Sequence, residues 1–326
     1  MLTPLAFTLL RQLADGEIHS GEALAATIGM TRARVSQLLK QVEGSGLALE
    51  SIRGRGYRLI DATPFLDRTA IMRALDTHFT QLQVEVADHI DSTSSELLRR
   101  NPGTDIHRLL LAAEWQTAGR GRRGRRWTSV VGGSLTFSLG WRFEQGAGFL
   151  SGLSLAIGVA IARALEASGF AGVELKWPND LVYRERKLGG VLVELTGDAL
   201  GPALVVVGIG LNVRLPEALR GDIAQPVTDL AAIADAIDRN ALLARIAAEI
   251  ARALEQYGRS GFAAFRAEWQ RRHALQHQPV DVLLPDGSST HGSVAGVDAD
   301  GALLLDRGGR RLRFVNGEVS LRRPGR

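Results

Sequence analysis

The nonapeptide GRGRRGRRW, Gly119 to Trp127, decides the fold. Its glycines at 119, 121 and 124 spell G-x-G-x-x-G, and an acid, Glu144, follows about 20 positions on, as a dinucleotide fingerprint requires. That fingerprint also needs a helix opening directly behind the glycines, with its N-terminus aimed at a pyrophosphate. Here the chain continues TSVVGGSLTFSL, broken by Gly132-Gly133 and then strand-like. No Gly-Lys-Ser/Thr ending is present, so a P-loop is excluded together with the dinucleotide fold. What remains is a loop of Arg120, Arg122, Arg123, Arg125 and Arg126 set among glycines. Crowded cations repel unless anions arrive. The loop is therefore expected to be mobile when empty and to order around phosphates or carboxylates. A solvated basic loop would carry the same letters.

Working outward, Glu114-Trp115-Gln116 leads into this loop. Gln116 is a candidate amide for a ligand, and Trp115 reads as packing. Further upstream, Asp91-Ser92-Thr93-Ser94 precedes a helical stretch; it suits an N-cap, and its hydroxyls could also hold a polar head group. Downstream stands Lys176-Trp177-Pro178-Asn179-Asp180, then Lys187-Leu188-Gly189-Gly190 and the strand VLVEL. Pro178 stiffens the chain and presents Asn179 to phosphate oxygens and Asp180 to a magnesium ion or ribose. Gly190 allows a ligand close to the backbone, and Lys187 beside it can meet negative charge as it develops. VVVGIGLNV adds Gly208, Gly210 and Asn212 at a strand end.

The whole chain has 326 residues, enough for two or three domains, and 45% of them are hydrophobic, enough for real cores. With no cysteine there is no disulfide, thiolate nucleophile or Cys-ligated metal. The net charge of +4 permits a nucleic-acid or phosphate partner without demanding one. The N-terminus lacks a basic n-region, and the apolar run from Phe149 to Ala162 is too short and Gly/Ser-rich to span a bilayer. A cytoplasmic protein with no membrane partner is expected.

Three segments follow: a DNA-binding domain over 1–62, a catalytic domain over 63–275 and a small barrel over 276–326. In the first, Leu5, Leu9, Leu10 and Leu13 keep helical spacing; Ser20 caps a second helix and Thr31 a third. The third carries Val35, Leu38, Leu39 and Val42 inward and Arg32, Arg34, Ser36, Gln37 and Lys40 outward. A hairpin then turns at Arg53-Gly54-Arg55-Gly56, giving a winged helix-turn-helix with arginine on both the third helix and the wing. Seven Lys/Arg against five Asp/Glu over Met1–Ile60 leave only +2, so non-specific affinity should be modest and salt-sensitive.

The middle segment mixes helices (Ser92–Arg100, Leu150–Ser168, Ala241–Tyr257) with strands (Arg108–Ala113, Ser134–Trp141, Val173–Lys176, Gly190–Leu195, Ala203–Ile209). It is read as α+β with a mainly antiparallel sheet. Turn signals at Pro285-Asp286-Gly287, Asp300-Gly301, Arg307-Gly308-Gly309 and Asn316-Gly317 divide the last segment into five short strands of a small SH3-like barrel.

GRGRRGRRW, KWPNDL, RKLGGVLVEL and VGIGLNV, in this order, resemble the biotin protein ligases, and the N-terminal segment brings the resemblance to the bifunctional ligase/biotin operon repressor type. It implies that the biotin carboxylate attacks the α-phosphate of magnesium-bound ATP, releasing pyrophosphate. A lysine amine on the biotin carboxyl carrier domain of a carboxylase then attacks the resulting biotinyl-5′-adenylate. No enzyme nucleophile is needed, in keeping with the absence of cysteine. By position, Ser92, Thr93, Ser94, Gln116 and Gly190 should line the biotin pocket. Arg120, Gly121 and Arg122 should cover biotin and phosphate, with Lys187 as main electrostatic catalyst beside Arg120 and Arg122. Trp127, Arg125, Asn179, Asp180 and Asn212 fall on the adenylate side, Asp180 being the magnesium candidate. Ser94 stands where relatives often carry Asn. The resemblance also implies an adenylate-bound homodimer and operator DNA read by Arg32, Arg34, Ser36, Gln37 and Lys40, with Arg53 and Arg55 on the wing. The rivals are a lipoate or octanoyl transferase, and a ligand-sensing transcription factor without turnover.

Overall fold

The computed structural model describes residues 2–42, 47–60, 64–75, 81–101, 103–197, 201–221, 223, 225–284, 288–315 and 320–322. The expected turns at 285–287 and 316–317 lie outside these residues. Helices α1 (Pro4–Leu13), α2 (Gly21–Ile28) and α3 (Arg32–Lys40) open the chain. Each is capped by a hydroxyl: Thr3, Ser20 and Thr31 accept the backbone N–H of Ala6, Ala23 and Arg34. Gly29, at φ 62°, supplies the left-handed turn between α2 and α3. The hairpin β1 (Leu49–Ile52) and β2 (Gly56–Leu59) follows, its tip at Arg53-Gly54-Arg55. Leu9, Leu10, Leu24, Val35, Leu38 and Leu59 bury one core that also takes in Phe65 and Val131, with Trp115 packed against it.

Beyond α4 (Arg68–Ala74) the chain builds a seven-stranded sheet from β3 (Gln83–Ile90), β4 (Leu109–Gln116), β5 (Ser134–Phe143), β6 (Glu174–Lys176), β7 (Asp180–Tyr183), β8 (Arg186–Gly197) and β9 (Ala203–Asn212). Helices α5 (Thr93–Arg100) and α6 (Leu153–Ala167) are interleaved with these strands, and α7 (Glu217–Arg220), α8 (Arg239–Ser260) and α9 (Ala263–Arg272) come after them. The spatial order is β3-β4-β5-β9-β8-β7-β6. Only β3–β4 is parallel; the other neighbours are antiparallel, so the sheet is mixed. Helix α6 is apolar over most of its surface, with Leu155, Ile157, Val159 and Ile161 buried and its charges confined to Arg163 and Glu166 near the C-terminal end. β10 (Pro279–Leu283), β11 (Ser289–Val297), β12 (Leu303–Arg307), β13 (Arg310–Phe314) and β14 (Ser320–Arg322) form a separate five-stranded antiparallel sheet.

A fully buried ion pair fastens these parts. Arg239, at the start of α8, meets Glu114 of β4 at 2.7 Å, both side chains 0% exposed. The same carboxylate accepts the N–H of Leu66 and of Gly132, and the guanidinium donates to the carbonyls of Pro64 and Ser134. A buried pair gains little over apolar packing, but removing one partner strands a charge. Glu114→Ala should therefore cost about 3–5 kcal/mol in urea unfolding. A loss below about 1 kcal/mol would show that Arg239 reaches solvent.

Candidate active site

One wall begins at α5. Ser92 is its N-cap, accepting the Ser95 N–H at 3.4 Å. Gln116 Oε1, at the end of β4, accepts the Thr93 backbone N–H at 2.7 Å and the Thr93 hydroxyl at 3.1 Å. Ser138 of β5 lies 2.7 Å from the Thr93 hydroxyl and 2.9 Å from that of Ser94. All five side chains are buried. Ser94 therefore keeps a hydrogen-bonding place in this cluster, with Ser138 as its partner. A side chain at Gly208 would collide with the Ser94 hydroxyl.

The arginine loop crosses above. It folds on itself through Gly121 N–H to Arg125 O at 2.7 Å, Trp127 N–H to Gly119 O at 2.9 Å, and a bridge between Arg120 and Arg126. Arg123 takes the left-handed conformation at φ 58°. Arg122 reaches Asn179 Oδ1 at 3.2 Å; burial, and then neighbouring Arg123, hold its pKa below the usual guanidinium range. The indole of Trp127 lies flat on β9, so that a Cβ at Gly210 would fall about 2.7 Å from its Cδ2. The indole Nε1 is buried without a partner among the described residues.

The far end is built by the KWPND turn. Asn179 is clamped to Val191 by hydrogen bonds of 2.7 and 2.9 Å. Lys187 is fixed through its backbone by Pro226 O and Thr228 N–H, and its ammonium lies 2.7 Å from Asp180. Gly190 pairs with Asp180 and leaves space into which the Lys187 side chain folds. Asn212 is buried and donates to Thr228 O at 3.0 Å. Behind the turn, Trp177 donates from Nε1 to Gly301 O at 3.0 Å, and its backbone N–H makes a long 3.5 Å bond to His273. Burial pushes the His273 imidazole down to about 3, so it accepts there as a neutral ring.

Every residue expected on the biotin or nucleotide side lines a single cavity of about 1270 Å³. The DNA candidates lie elsewhere. Arg32, Gln37 and Lys40 are exposed on α3, where Arg32 pairs with Glu22 and Arg34 reaches Gln37; Ser36 is half-buried; Arg53 and Arg55 are exposed at the hairpin tip. Sequence reasoning missed Ser138, Glu194 and the 225–227 segment at the site. A lone acid within the apolar strand VLVEL was the one signal on offer. Among the described residues no group of three or more His, Cys, Asp or Glu could hold a metal. Asp180 offers a single carboxylate, already paired with Lys187. This donor set fits a magnesium ion carried on nucleotide phosphates and not one caged by protein.

Residues 86–212 match the Biotin/lipoate A/B protein ligase family and residues 278–322 the Biotin protein ligase C terminal domain. The chain is 37% identical over 320 residues to the bifunctional ligase/repressor BirA of Salmonella typhimurium, covering 98% of each. It belongs to the biotin protein ligase family. The Escherichia coli bifunctional ligase/repressor BirA is likewise 37% identical over 314 residues, 96% of each chain. A biotin protein ligase from Aquifex aeolicus, solved in complex with biotin and ATP, is 29% identical with a TM-score of 0.63; the match covers 74% of this chain and 99% of that one. No helix among the described residues is long and apolar enough to cross a membrane.

If the Trp127 ring needs the bare backbone of Gly210, Gly210→Ala should displace it. We expect a shifted tryptophan emission and roughly a tenfold rise in ATP KM, of the size that one methyl group commands in a tight pocket. An unaltered spectrum and KM would detach Trp127 from the site.

Proposed function

We propose that this protein joins biotin to AMP and then to a lysine of a biotin carboxyl carrier domain, and that it represses transcription through its N-terminal segment. The observation that carries the ligase reading is the convergence, on one cavity, of a buried hydroxyl–amide cluster (Thr93, Ser94, Gln116) with three cations, Arg120, Arg122 and Lys187. A neutral polar head group suits the first, and a carboxylate meeting a phosphate suits the second.

In the first step, Ser92, Thr93, Ser94 and Gln116 orient the head of biotin, with the bare backbone of Gly190 and Gly121 close to the ligand. The carboxylate oxygen forms a bond to the α-phosphorus while the bond to the pyrophosphate oxygen breaks. Lys187, with Arg122, opposes the negative charge that gathers on the phosphoryl oxygens, while Arg120 covers biotin from the side of Ser95. Held in place by Asp180 before substrate arrives, Lys187 needs little reorganisation; catalysis here is positioning and charge stabilisation. Trp127 and Arg125 close over the adenylate, and Asn179, Asp180 and Asn212 face the nucleotide. A magnesium ion, arriving on the triphosphate, would neutralise the leaving pyrophosphate, with Asp180 offering one oxygen. In the second step the carrier lysine amine attacks the anhydride carbonyl and AMP leaves.

The N-terminal reading is a winged helix-turn-helix over 1–62, with Arg32, Arg34, Ser36, Gln37 and Lys40 facing a DNA groove and Arg53 and Arg55 on the wing. It is supported by the exposure of Arg32, Gln37, Lys40, Arg53 and Arg55. The catalytic domain then spans 63–275 and a small SH3-like barrel 276–326. Adenylate-dependent homodimerisation and a cytoplasmic location complete the proposal.

Pyrophosphate release from biotin, ATP and magnesium tests the core of it. Lys187→Ala should lower adenylate formation by at least about two orders of magnitude through loss of a preorganised cation; near-normal release would remove Lys187 from its role. Deleting residues 1–60 should abolish operator binding in a gel-shift assay, and retained affinity would overturn the winged-helix assignment.

A further inference from the structure

Glu194 has no place in the reaction just described, yet the structure commits it to the site. It lies on β8 on the same face as Gly190 and Leu192, which line the cavity. Its Oε1 accepts from Arg120 at 2.8 Å, with only 18% of the side chain exposed, and its Oε2 is buried with no partner among the described residues. The other terminal nitrogen of Arg120 donates to the Ser95 hydroxyl on α5 at 3.3 Å. The guanidinium is thus a bar thrown from α5 to β8.

The bar has a definite end of the cavity to close. Along β8, Gly190 faces Gly210, Leu192 faces Gly208 and Glu194 faces Val206. Gly208 is where Ser94 and Ser138 meet, so Glu194 lies one step past the hydroxyl cluster. The Lys187 ammonium and the Asp180 carboxylate lie beside Gly190 at the opposite end, roughly 13 Å away at the usual rise of a strand. Anionic chemistry has one end and the neutral head group the other, and Arg120 stands across the head-group end.

We infer that Glu194 is a positioning and specificity residue: it holds Arg120 as the end wall of the pocket and so limits the size of the ring system the ligase admits. This rests on the proposed binding of biotin with its head toward Thr93, Ser94 and Gln116. Without the carboxylate, Arg120 keeps only the Ser95 hydroxyl, and a long guanidinium on one neutral hydrogen bond regains its rotamer freedom. The wall then yields to a larger head group, while the Lys187 end, held by its own pairings, is unaffected.

The test uses the full-length protein and pyrophosphate release, with wild type run first on biotin and ATP. Wild-type silence would defeat the ligase reading itself; with wild type active, only the clasp is in question. Glu194→Gln and Glu194→Ala should raise biotin KM about tenfold or more while leaving ATP KM and the melting temperature in place. Glu194→Asp should recover part of the loss. For Glu194→Ala, a biotin alkylated on a ureido nitrogen should gain on biotin by about tenfold in relative kcat/KM. Unchanged biotin KM with unchanged discrimination would overturn the inference. So would biotin and ATP KM rising together with a fallen melting temperature, since that marks a structural residue.

Discussion

Absent side chains make this site possible. On the paired strands β8 and β9, Gly190 and Gly210 face each other in register, with Gly208 one alternation further on. A Cβ at Gly210 would occupy the Trp127 ring, and one at Gly208 the Ser94 hydroxyl. The sheet therefore presents bare backbone where other sheets present a packed layer, and loops from both sides settle onto it. The same strands also carry Lys187 and Asn212, so the floor and the polar contacts share one rigid support. Groups on strands hold their geometry better than groups on loops.

Electrostatics then sets how the loop rests. Five arginines in nine residues repel one another, and the fold answers with acids placed singly: Glu194 for Arg120 and Asp180 for Lys187. Arg122, hydrogen-bonded to the neutral oxygen of Asn179 and only partly offset by the charge of Asp180, is the loop cation that burial penalises. A phosphate arriving beside it would relieve that penalty, which is how an unfavourable ligand-free arrangement becomes affinity.

Glu114 and Arg239 connect this chemistry to the rest of the chain. Glu114 is two residues from Gln116 on β4 and accepts N–H groups both from Leu66, where the chain enters the catalytic part, and from Gly132, just behind the arginine loop. Val131, next to that glycine, sits in the core of the N-terminal helices. The segment that leaves the ligand loop is thus packed on one side by the N-terminal core and hydrogen-bonded on the other by a buried carboxylate.

Much of this was legible in the letters alone. Helix caps at Ser20 and Thr31, the strand cores around 134–141 and 203–209, and the four motifs all announced themselves, because caps, periodicity and glycine–cation clusters are local in sequence. The gaps have physical causes. β3 is half-exposed and carries His and Asp, so its alternation is weak; α9 shows only Phe265 and Trp269 as buried anchors. The β7–β8 turn takes Arg184 and Glu185 into the left-handed region without glycine or asparagine, so no turn signal marks it. The sequence by itself determined which chemistry is on offer: cations among glycines, hydroxyls at a helix start, no thiol. Only tertiary structure decided which acid answers which cation, that Ser138 joins Ser94, and that Glu194 reaches Arg120. Those pairs are set by strand register and loop path across dozens of residues, and a linear pattern carries no record of distance through space.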